Sequence, residues 1–282
     1  MLWCDGRVVE GPIPFDLSDR GLLLGDGVFD TALACDGRIA FEDAHVARLV
    51  AAAQALGFAD EPERIVAAMR AVAVAAPRTV IRTTMTRGPG PRGIAPPAEA
   101  RPFLFARSGP MRPGLAFAPM RLHLTAIRRN ETSPASRLKS LGYLDAVLAA
   151  RDAAAAGFDE ALFLNTRDRV ACAGIGNLFG IFGRTLVTPS LEEGVLPGIV
   201  RAQIFAVAAR LGLAVDERPL PLDELTGADA AILTNSLRLV SPVTAIGDRS
   251  LDSAGNATVA HLIQAVREAV AASCNVAPET VS

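Results

Sequence analysis

The sequence predicts an α+β protein built from two domains. Strand-like and helix-like segments follow one another without strict β–α alternation, which argues against a doubly wound parallel sheet. The 282 residues are enough for two modest domains. Residues 108–114 contain two prolines and two glycines, interrupt both kinds of pattern, and are the best candidate for a linker. We therefore expect a smaller N-terminal α/β domain over residues 1–107 and a larger C-terminal domain over 115–282.

The first domain is predicted to mix short strands with two amphipathic helices. The dipeptide Asp36-Gly37 suits a tight turn and predicts a hairpin. His45, Arg48 and Leu49 share one face at helical spacing, which predicts a helix that Gly57 closes. The predicted spans are strands at 2–10, 78–86 and 102–106, a hairpin at 33–40, and helices at 42–56 and 62–74.

The second domain is predicted to contain several apolar strands and three helices. A turn at 166–168 separates two of the strands, and a glycine-containing stretch, 194–201, leads into the middle helix. The predicted spans are strands at 115–124, 160–165, 170–181, 185–189, 228–236 and 240–246, and helices at 143–156, from 194–201 through 211, and at 258–272.

The composition argues against several classes of function. Half of the residues are apolar and the formal net charge is −2, so there is no electrostatic reason to expect nucleic acid or an anionic membrane as a partner. The most apolar stretch, 71–76, is too short to span a membrane, and the N-terminus lacks the layout of a signal peptide. The four cysteines are scattered without paired spacing, so we expect neither a metal site nor a disulfide framework. The expected compartment is the cytoplasm.

The sequence contains a single lysine, Lys139, among 28 lysines and arginines. Arginine stays protonated, whereas a desolvated lysine amine can attack a carbonyl and form a Schiff base. A genome biased towards arginine would explain why lysines are missing. It does not explain why the remaining lysine precedes an apolar, helix-like run at 143–156. Lys139 is therefore our candidate for covalent catalysis, and a bound aldehyde cofactor such as pyridoxal phosphate is the commonest reason for such a lysine.

A phosphate-bearing cofactor would also need an anion site, and the segment 194–201 is a candidate. Gly198 stands immediately before a predicted helix, where free backbone N–H groups favour a phosphate. Taken alone, such a glycine is more often only a turn and cap. Arg48 could add a charged contact, although it could equally be a solvated helix arginine. The segment Thr234-Asn-Ser236 could offer a hydroxyl, although it could simply cap a strand.

Taken together, the chain resembles the class IV aminotransferase family, the fold-type IV pyridoxal phosphate enzymes. That family includes branched-chain and D-amino acid aminotransferases and aminodeoxychorismate lyase. The similarity covers nearly the whole chain, and six segments match in order. They are the glycine-rich Gly25–Thr31, the His-x-x-Arg-Leu signature His45–Leu49, Lys139, the Asn-Leu-Phe strand Asn177–Phe179, the turn Gly194–Arg201, and Ser236.

The resemblance implies a two-domain, D-amino acid aminotransferase-like fold with pyridoxal 5'-phosphate as cofactor. Lys139 would be the Schiff-base lysine and the general base at the substrate α-carbon. The expected cofactor-binding residues are Lys139, Arg48, Cys172, Asn177, Gly198, Ile199, Val200 and Ser236. The resemblance also implies a homodimer whose active site lies between the domains, partly lined by the neighbouring subunit.

Two positions depart from the family pattern. Cys172 stands where the family has a glutamate that keeps the pyridine nitrogen protonated, and a thiol is a poorer anion. Either the nitrogen goes unprotonated, or another carboxylate substitutes, or the chain has drifted from catalysis. Val200 stands where transaminases carry a phosphate-binding threonine, a milder loss because the backbone N–H groups of Ile199 and Val200 remain.

Local features favour the lyase branch, which forms 4-aminobenzoate and pyruvate. The loop 87–93 is similar to that branch, and Thr31 falls where a threonine is thought to assist the elimination. Arg92 and Asn235 are the expected substrate-binding residues. Arg92 also suits an amino acid aminotransferase, as a clamp for a carboxylate. An amino acid aminotransferase, for branched-chain or D-amino acids, is therefore the alternative. A cofactor-binding or structural relic with little or no turnover is a third hypothesis.

Overall fold

The computed structural model describes residues 1–58 and 60–281, which divide into two compact units. The first unit comprises Met1–Arg112, Leu138–Gly142 and Val270–Val281, and the second comprises Pro113–Arg137 and Tyr143–Ala269. The first division falls inside the stretch 108–114. The segment that carries Lys139 groups with the N-terminal residues, although the sequence pattern assigned it to the C-terminal domain.

The first unit is a six-stranded antiparallel sheet with helices. Its strands are β1 (Leu2–Cys4), β2 (Arg7–Val9), β3 (Gly27–Cys35), β4 (Arg38–Ile39), β5 (Thr79–Thr86) and β6 (Phe103–Pro110). Its helices are α1 (Arg20–Leu24), α2 (Glu42–Ala55) and α3 (Pro62–Val72). The strands lie in the order β2-β1-β6-β5-β3-β4. Apolar side chains of α2 and α3 share one core with alternate residues of β3, among them Val28, Ala32 and Ala34.

The predicted hairpin and both predicted helices of this unit are confirmed. Cys35 pairs with Arg38 and Ala34 with Ile39, which places the tight turn at Asp36-Gly37. The single strand predicted over 2–10 was wrong, because Asp5 and Gly6 both adopt positive φ and fold it into the β1–β2 hairpin. Helix α1 was not predicted. The strand predicted at 102–106 continues to Pro110, since each residue of β6 pairs with β5.

The second unit is a nine-stranded mixed sheet. Its strands are β7 (Met120–Leu124), β8 (Glu160–Leu164), β9 (Val170–Ala173), β10 (Asn177–Phe182), β11 (Thr185–Thr188), β12 (Ala214–Glu217), β13 (Ala230–Asn235), β14 (Leu239–Ile246) and β15 (Arg249–Ser250). Its helices are α4 (Leu144–Ala155), α5 (Ile199–Arg210), α6 (Leu222–Thr226) and α7 (Ala257–Cys274), of which the last turn belongs to the first unit. The order is β12-β11-β10-β13-β14-β7-β8-β9, and β15 pairs with β14.

Two strand predictions in this unit needed correction. The strand predicted over 115–124 begins only at Met120, since Phe117 has a positive φ of 61°. The strand predicted over 170–181 is two strands, because Ala173 donates its N–H to the carbonyl of Gly176 and turns the chain. Strands β12 and β15 and helix α6 are too short to give a periodic signal. Within residues 1–58 and 60–281, no helix combines the length and apolarity that crossing a bilayer requires.

Candidate functional site

The segment that carries Lys139 is fixed to β3 by backbone hydrogen bonds. The N–H of Phe29 donates to the carbonyl of Lys139 at 2.9 Å, and the N–H of Leu141 donates to the carbonyl of Gly27 at 3.0 Å. The Lys139 Nζ lies 4.5 Å from the centroid of the Phe29 ring, within cation–π distance. The single lysine is therefore held in one place by a strand, although 110 residues of chain separate it from Phe29.

A buried ionic cluster lies on the helix-covered face of β3. The Asp30 carboxylate accepts two hydrogen bonds from Arg48, from Nε at 2.8 Å and from Nη2 at 2.9 Å, and it lies 2.6 Å from His45 Nδ1. Burial alone would raise the pKa of Asp30, but the charges and hydrogen bonds of His45 and Arg48 hold that pKa well below its usual range. These two hydrogen bonds fix the orientation of the Arg48 guanidinium, and its Nη1 takes no part in them.

A cavity of about 450 Å³ opens on the other face of the same sheet. Thr31, Arg82 and Arg107 follow one another across β3, β5 and β6 and line it, together with Val80 and Ser108–Pro110. Arg82 packs its guanidinium 3.7 Å from the centroid of the Phe29 ring, the ring that also meets Lys139. The structure therefore brings Lys139 and Thr31 to one face of β3, whereas Arg48 binds the opposite face.

The loop that carries Arg92 is tied down by another arginine. Arg20 is 4% exposed and donates to the carbonyls of Gly93, Ile94 and Ala95. The Nε of Arg20 also bonds Asp26 at 2.8 Å. Arg92 itself is exposed in this loop. Arg20 therefore fixes the backbone of this loop, while the side chain of Arg92 remains exposed to solvent. The sequence pattern did not single out Arg20.

In the second unit, the start of α5 has the features of an anion site. Gly198 precedes the helix without any side-chain cap, so the first N–H groups of the helix lack that usual acceptor. The amide of Asn177 lies beside this helix start. Its Nδ2 donates to the carbonyl of Leu196 at 2.9 Å, and its Oδ1 would be only 2.0 Å from a Cβ at position 198. Glycine is therefore required there by close packing.

The end of β13 faces the same helix start. Thr234 pairs directly with Asn177, so both side chains lie on one face of the sheet, and the Thr234 hydroxyl is buried without a hydrogen-bond partner among the described residues. Asn235 shapes the turn that follows, because its Oδ1 accepts the N–H groups of Leu237 and Arg238. Ser236 is half-buried in that turn. Thr234 therefore lies beside Asn177, next to the start of α5.

Cys172 lies on β9, and the charges of Arg129 and Glu160 both act on it. It pairs with Phe163 of β8, and the Arg129 guanidinium lies 4.2 Å from the centroid of that ring. Burial raises the pKa of the Cys172 thiol, the nearby Arg129 opposes that shift, and the Glu160 charge adds to it. Glu160 is 5% exposed, and burial raises the pKa of its carboxyl as well. The sequence pattern gave no reason to single out Glu160.

Comparison with known proteins identifies the family. The model of the family described as Amino-transferase class IV matches residues 27–246, which is more than half of the chain. A Methanocaldococcus jannaschii protein, provisionally named a branched-chain-amino-acid aminotransferase, is 33% identical over 261 residues, or 89% of this chain and 90% of that protein.

Two solved structures represent the two activities found among the relatives. The 4-amino-4-deoxychorismate lyase of Pseudomonas aeruginosa is 29% identical, with a TM-score of 0.85 over 95% of this chain and 98% of its own. The branched-chain aminotransferase of Thermoproteus uzoniensis, solved with norvaline, is 25% identical, with a TM-score of 0.87 over 96% of this chain and 95% of its own. The predicted α+β fold of the fold-type IV class is confirmed.

Proposed function

We propose that this chain, which belongs to the class IV amino-transferase family of enzymes, is a pyridoxal 5'-phosphate enzyme with lyase-like specificity. The observation that carries the proposal is the position of Lys139. The one lysine of the chain is fixed by backbone hydrogen bonds to β3, on the face where Thr31 and two arginines line a cavity. A primary amine in such surroundings suits covalent binding of an aldehyde cofactor.

The residues present fit the phosphate of this cofactor. The start of α5 offers the N–H groups of Ile199 and Val200 without a side-chain cap, and Thr234 keeps a buried hydroxyl without a partner among the described residues. An anion at this place would accept hydrogen bonds from both. We assign phosphate binding to these groups, to Ser236 and to Arg48. When bound, the cofactor would supply an electron sink for the bond broken at the substrate α-carbon.

The chain's own residues would then perform positioning and proton transfer. Lys139 binds the cofactor and moves a proton at the substrate α-carbon as a general base. Phe29 holds the lysine amine against its ring face. Thr31 assists the elimination from the cavity wall, and Arg92 and Asn235 contact substrate. Asn235 would have to use its Nδ2 for this, since its Oδ1 is occupied by the turn.

Two observations favour a lyase that releases 4-aminobenzoate and pyruvate. Thr31 lines the cavity, and the chain is similar to the Pseudomonas lyase. The second candidate is an amino acid aminotransferase. It is favoured by the Methanocaldococcus relative and by the Thermoproteus structure, which are similar over most of the chain.

We further propose a cytoplasmic homodimer with a small-molecule amino substrate, and sedimentation velocity of the purified protein tests the dimer.

Borohydride reduction followed by peptide mass analysis tests the proposal directly. Because Lys139 is the single lysine, we expect one pyridoxyl adduct, on the peptide that contains it. Lys139→Arg is the matched control, since it keeps the charge and removes the nucleophilic amine. The absence of an adduct after incubation with excess cofactor would overturn the proposal and leave the relic hypothesis.

Product analysis separates the two activities. The lyase should release 4-aminobenzoate and pyruvate from aminodeoxychorismate without any added keto acid. An aminotransferase should convert the cofactor to its amine form with an amino acid alone, and should then require a keto acid to recover. The absorption spectrum of the bound cofactor distinguishes these outcomes, and no spectral change with either class of substrate would contradict both.

A further inference from the structure

Glu160 differs from the other buried glutamates of the second unit. Glu131 pairs with Arg167 at 3.1 Å, and Glu193 pairs with Arg169 at 2.7 Å. Glu160 is equally buried, yet within the described part of the chain no basic side chain lies at salt-bridge distance from it. It accepts one backbone hydrogen bond, from Ala161 at 2.9 Å. The charge of Arg238 lowers the pKa of the Glu160 carboxyl, but burial outweighs it and leaves that pKa raised. A buried carboxylate without a salt bridge is costly, so a further cationic hydrogen-bond donor would stabilise it.

The carboxylate of Glu160 turns towards the face of the sheet that carries Cys172. Gly174 continues the strand pairing by donating its N–H to the carbonyl of Ala161 at 3.0 Å, so its missing side chain would share the face of Cys172. A Cβ at Gly174 would lie 2.6 Å from Glu160 Oε1 and 3.7 Å from the Phe163 ring. The glycine therefore leaves the space that the Glu160 carboxylate occupies, beside Cys172 and Phe163.

We propose that Glu160, and not residue 172, supplies the carboxylate that keeps the ring nitrogen of the bound cofactor protonated. The inference rests on the proposed function, because it needs pyridoxal phosphate to bind. A protonated pyridine nitrogen is a cationic hydrogen-bond donor, and it would give Glu160 the salt bridge that no described residue forms with it. Cys172 is a poor candidate for this role, since burial and the Glu160 charge outweigh the opposing effect of Arg129 and raise the pKa of its thiol. The substitution of a carboxylate by Cys172 is thereby compensated from the neighbouring strand.

The test is the nitrogen-15 spectrum of the holoenzyme loaded with pyridoxal phosphate labelled at the ring nitrogen. The wild-type resonance should lie at the position of a protonated pyridine. In Glu160→Gln it should move downfield to the position of a neutral ring. Gly174→Ala should produce the same direction of shift, because its methyl group takes the place of the carboxylate. Asp159→Asn is the matched control, an exposed neighbour whose substitution should leave the resonance unchanged.

If Glu160→Gln does not fold, Gly174→Ala alone tests the carboxylate, because it displaces the Glu160 side chain without replacing it. Two further variants test position 172. Cys172→Ala should leave the resonance protonated, and Cys172→Glu should restore a protonated resonance in the Glu160→Gln background. A neutral nitrogen in the wild-type holoenzyme overturns the inference and leaves the proposed function standing. So does a resonance that responds to Cys172→Ala but not to Glu160→Gln. A wild-type protein that binds no cofactor overturns the proposed function, and the inference falls with it.

Discussion

At the scale of single residues, the buried hydroxyl of Thr234 lowers the stability of the apo-protein and is also a proposed ligand of the cofactor phosphate. Its hydroxyl is buried beside Asn177 without a partner among the described residues. An unsatisfied buried hydroxyl costs on the order of 1–3 kcal/mol of stability. The family resemblance implies a threonine at position 200 in transaminases, and Val200 offers no hydroxyl at the first turn of α5. A neighbouring strand that supplies a hydroxyl to the same helix start would offset that loss.

Thr234→Val should therefore act in opposite directions on stability and on cofactor binding. We expect the apo-protein to gain about 1 kcal/mol in free energy of unfolding, and the affinity for pyridoxal phosphate to fall roughly tenfold. Denaturant unfolding and spectroscopic titration measure the two quantities. Ser241→Ala is the matched control, because its buried hydroxyl also lacks a partner in the described structure but lies on the opposite face of the sheet. Unchanged affinity in Thr234→Val would refute the assigned role.

At the scale of elements, Asp30 joins β3 to α2. Asp30 is 2% exposed and contacts both Arg48 and His45 of α2. These contacts fix the register of the helix against the strand. Removing one member of a buried ionic cluster leaves the others uncompensated. The same cluster orients Arg48, the residue to which we assign a contact with the cofactor phosphate.

Asp30→Asn should destabilise the protein by about 3–5 kcal/mol at neutral pH. Denaturant unfolding measures this loss. Glu42→Gln is the control, because solvent screens its pair with the exposed Arg70 and its loss should change stability little. The cofactor affinity of Asp30→Asn should also fall, since Arg48 loses its bidentate partner.

The pH dependence of unfolding gives an independent test of the same cluster. The pKa of Asp30 is lowered in the folded state, so the unfolded state binds more protons at acid pH. The stabilisation by Asp30 is therefore complete above the ordinary value of 3.8 and is lost as the pH falls below it. The free energy of unfolding should decline with acid in the wild type more steeply than in Asp30→Asn. Equal slopes would contradict this account.

At the scale of the whole molecule, the first unit is assembled from three separate parts of the sequence. The last residues of α7 return to β3 and β4, where Arg38 donates to the carbonyls of Cys274 and Asn275. The Ser273 hydroxyl accepts the N–H of Phe41 at 3.3 Å. Val270, Cys274 and Val281 are fully buried. The C-terminal residues therefore belong to the same compact unit as the N-terminal strands and are held there by hydrogen bonds to residues 38 and 41.

Truncation after Ala269 should loosen the β3–β4 hairpin, although nearly 230 residues of sequence separate the two. We expect a loss of more than about 2 kcal/mol, because several fully buried apolar side chains are removed. Hydrogen exchange of the amides in residues 33–41 measures the effect locally. Ser273→Ala, which removes one hydrogen bond, should produce a smaller change. Unaltered exchange in the truncated protein would show that the hairpin is stable without the C-terminus.

The sequence by itself determined the fold class, most of the long helices and strands, and the choice of Lys139 as the candidate for covalent chemistry. Helical spacing placed α2, a tight-turn dipeptide placed the β3–β4 hairpin, and a single lysine identified the candidate for covalent chemistry. These signals are local, since they depend on periodicity, turn residues and composition. Ordered motifs also identified the family. The turn at Asp5-Gly6 and the break after Ala173 were missed, because backbone direction there depends on pairing with other strands.

Only the tertiary structure decided which side chains meet. Strand pairing between residues far apart in sequence brings Lys139 to Phe29, Thr31 to Arg82, and Thr234 to Asn177. No local pattern encodes these contacts, because strand register is set by long-range packing. Ion pairing is likewise a property of the folded chain. Among the described residues Glu131 and Glu193 form salt bridges and the equally buried Glu160 forms none. The sequence showed that a carboxylate was missing at position 172, and the structure indicated which residue could replace it.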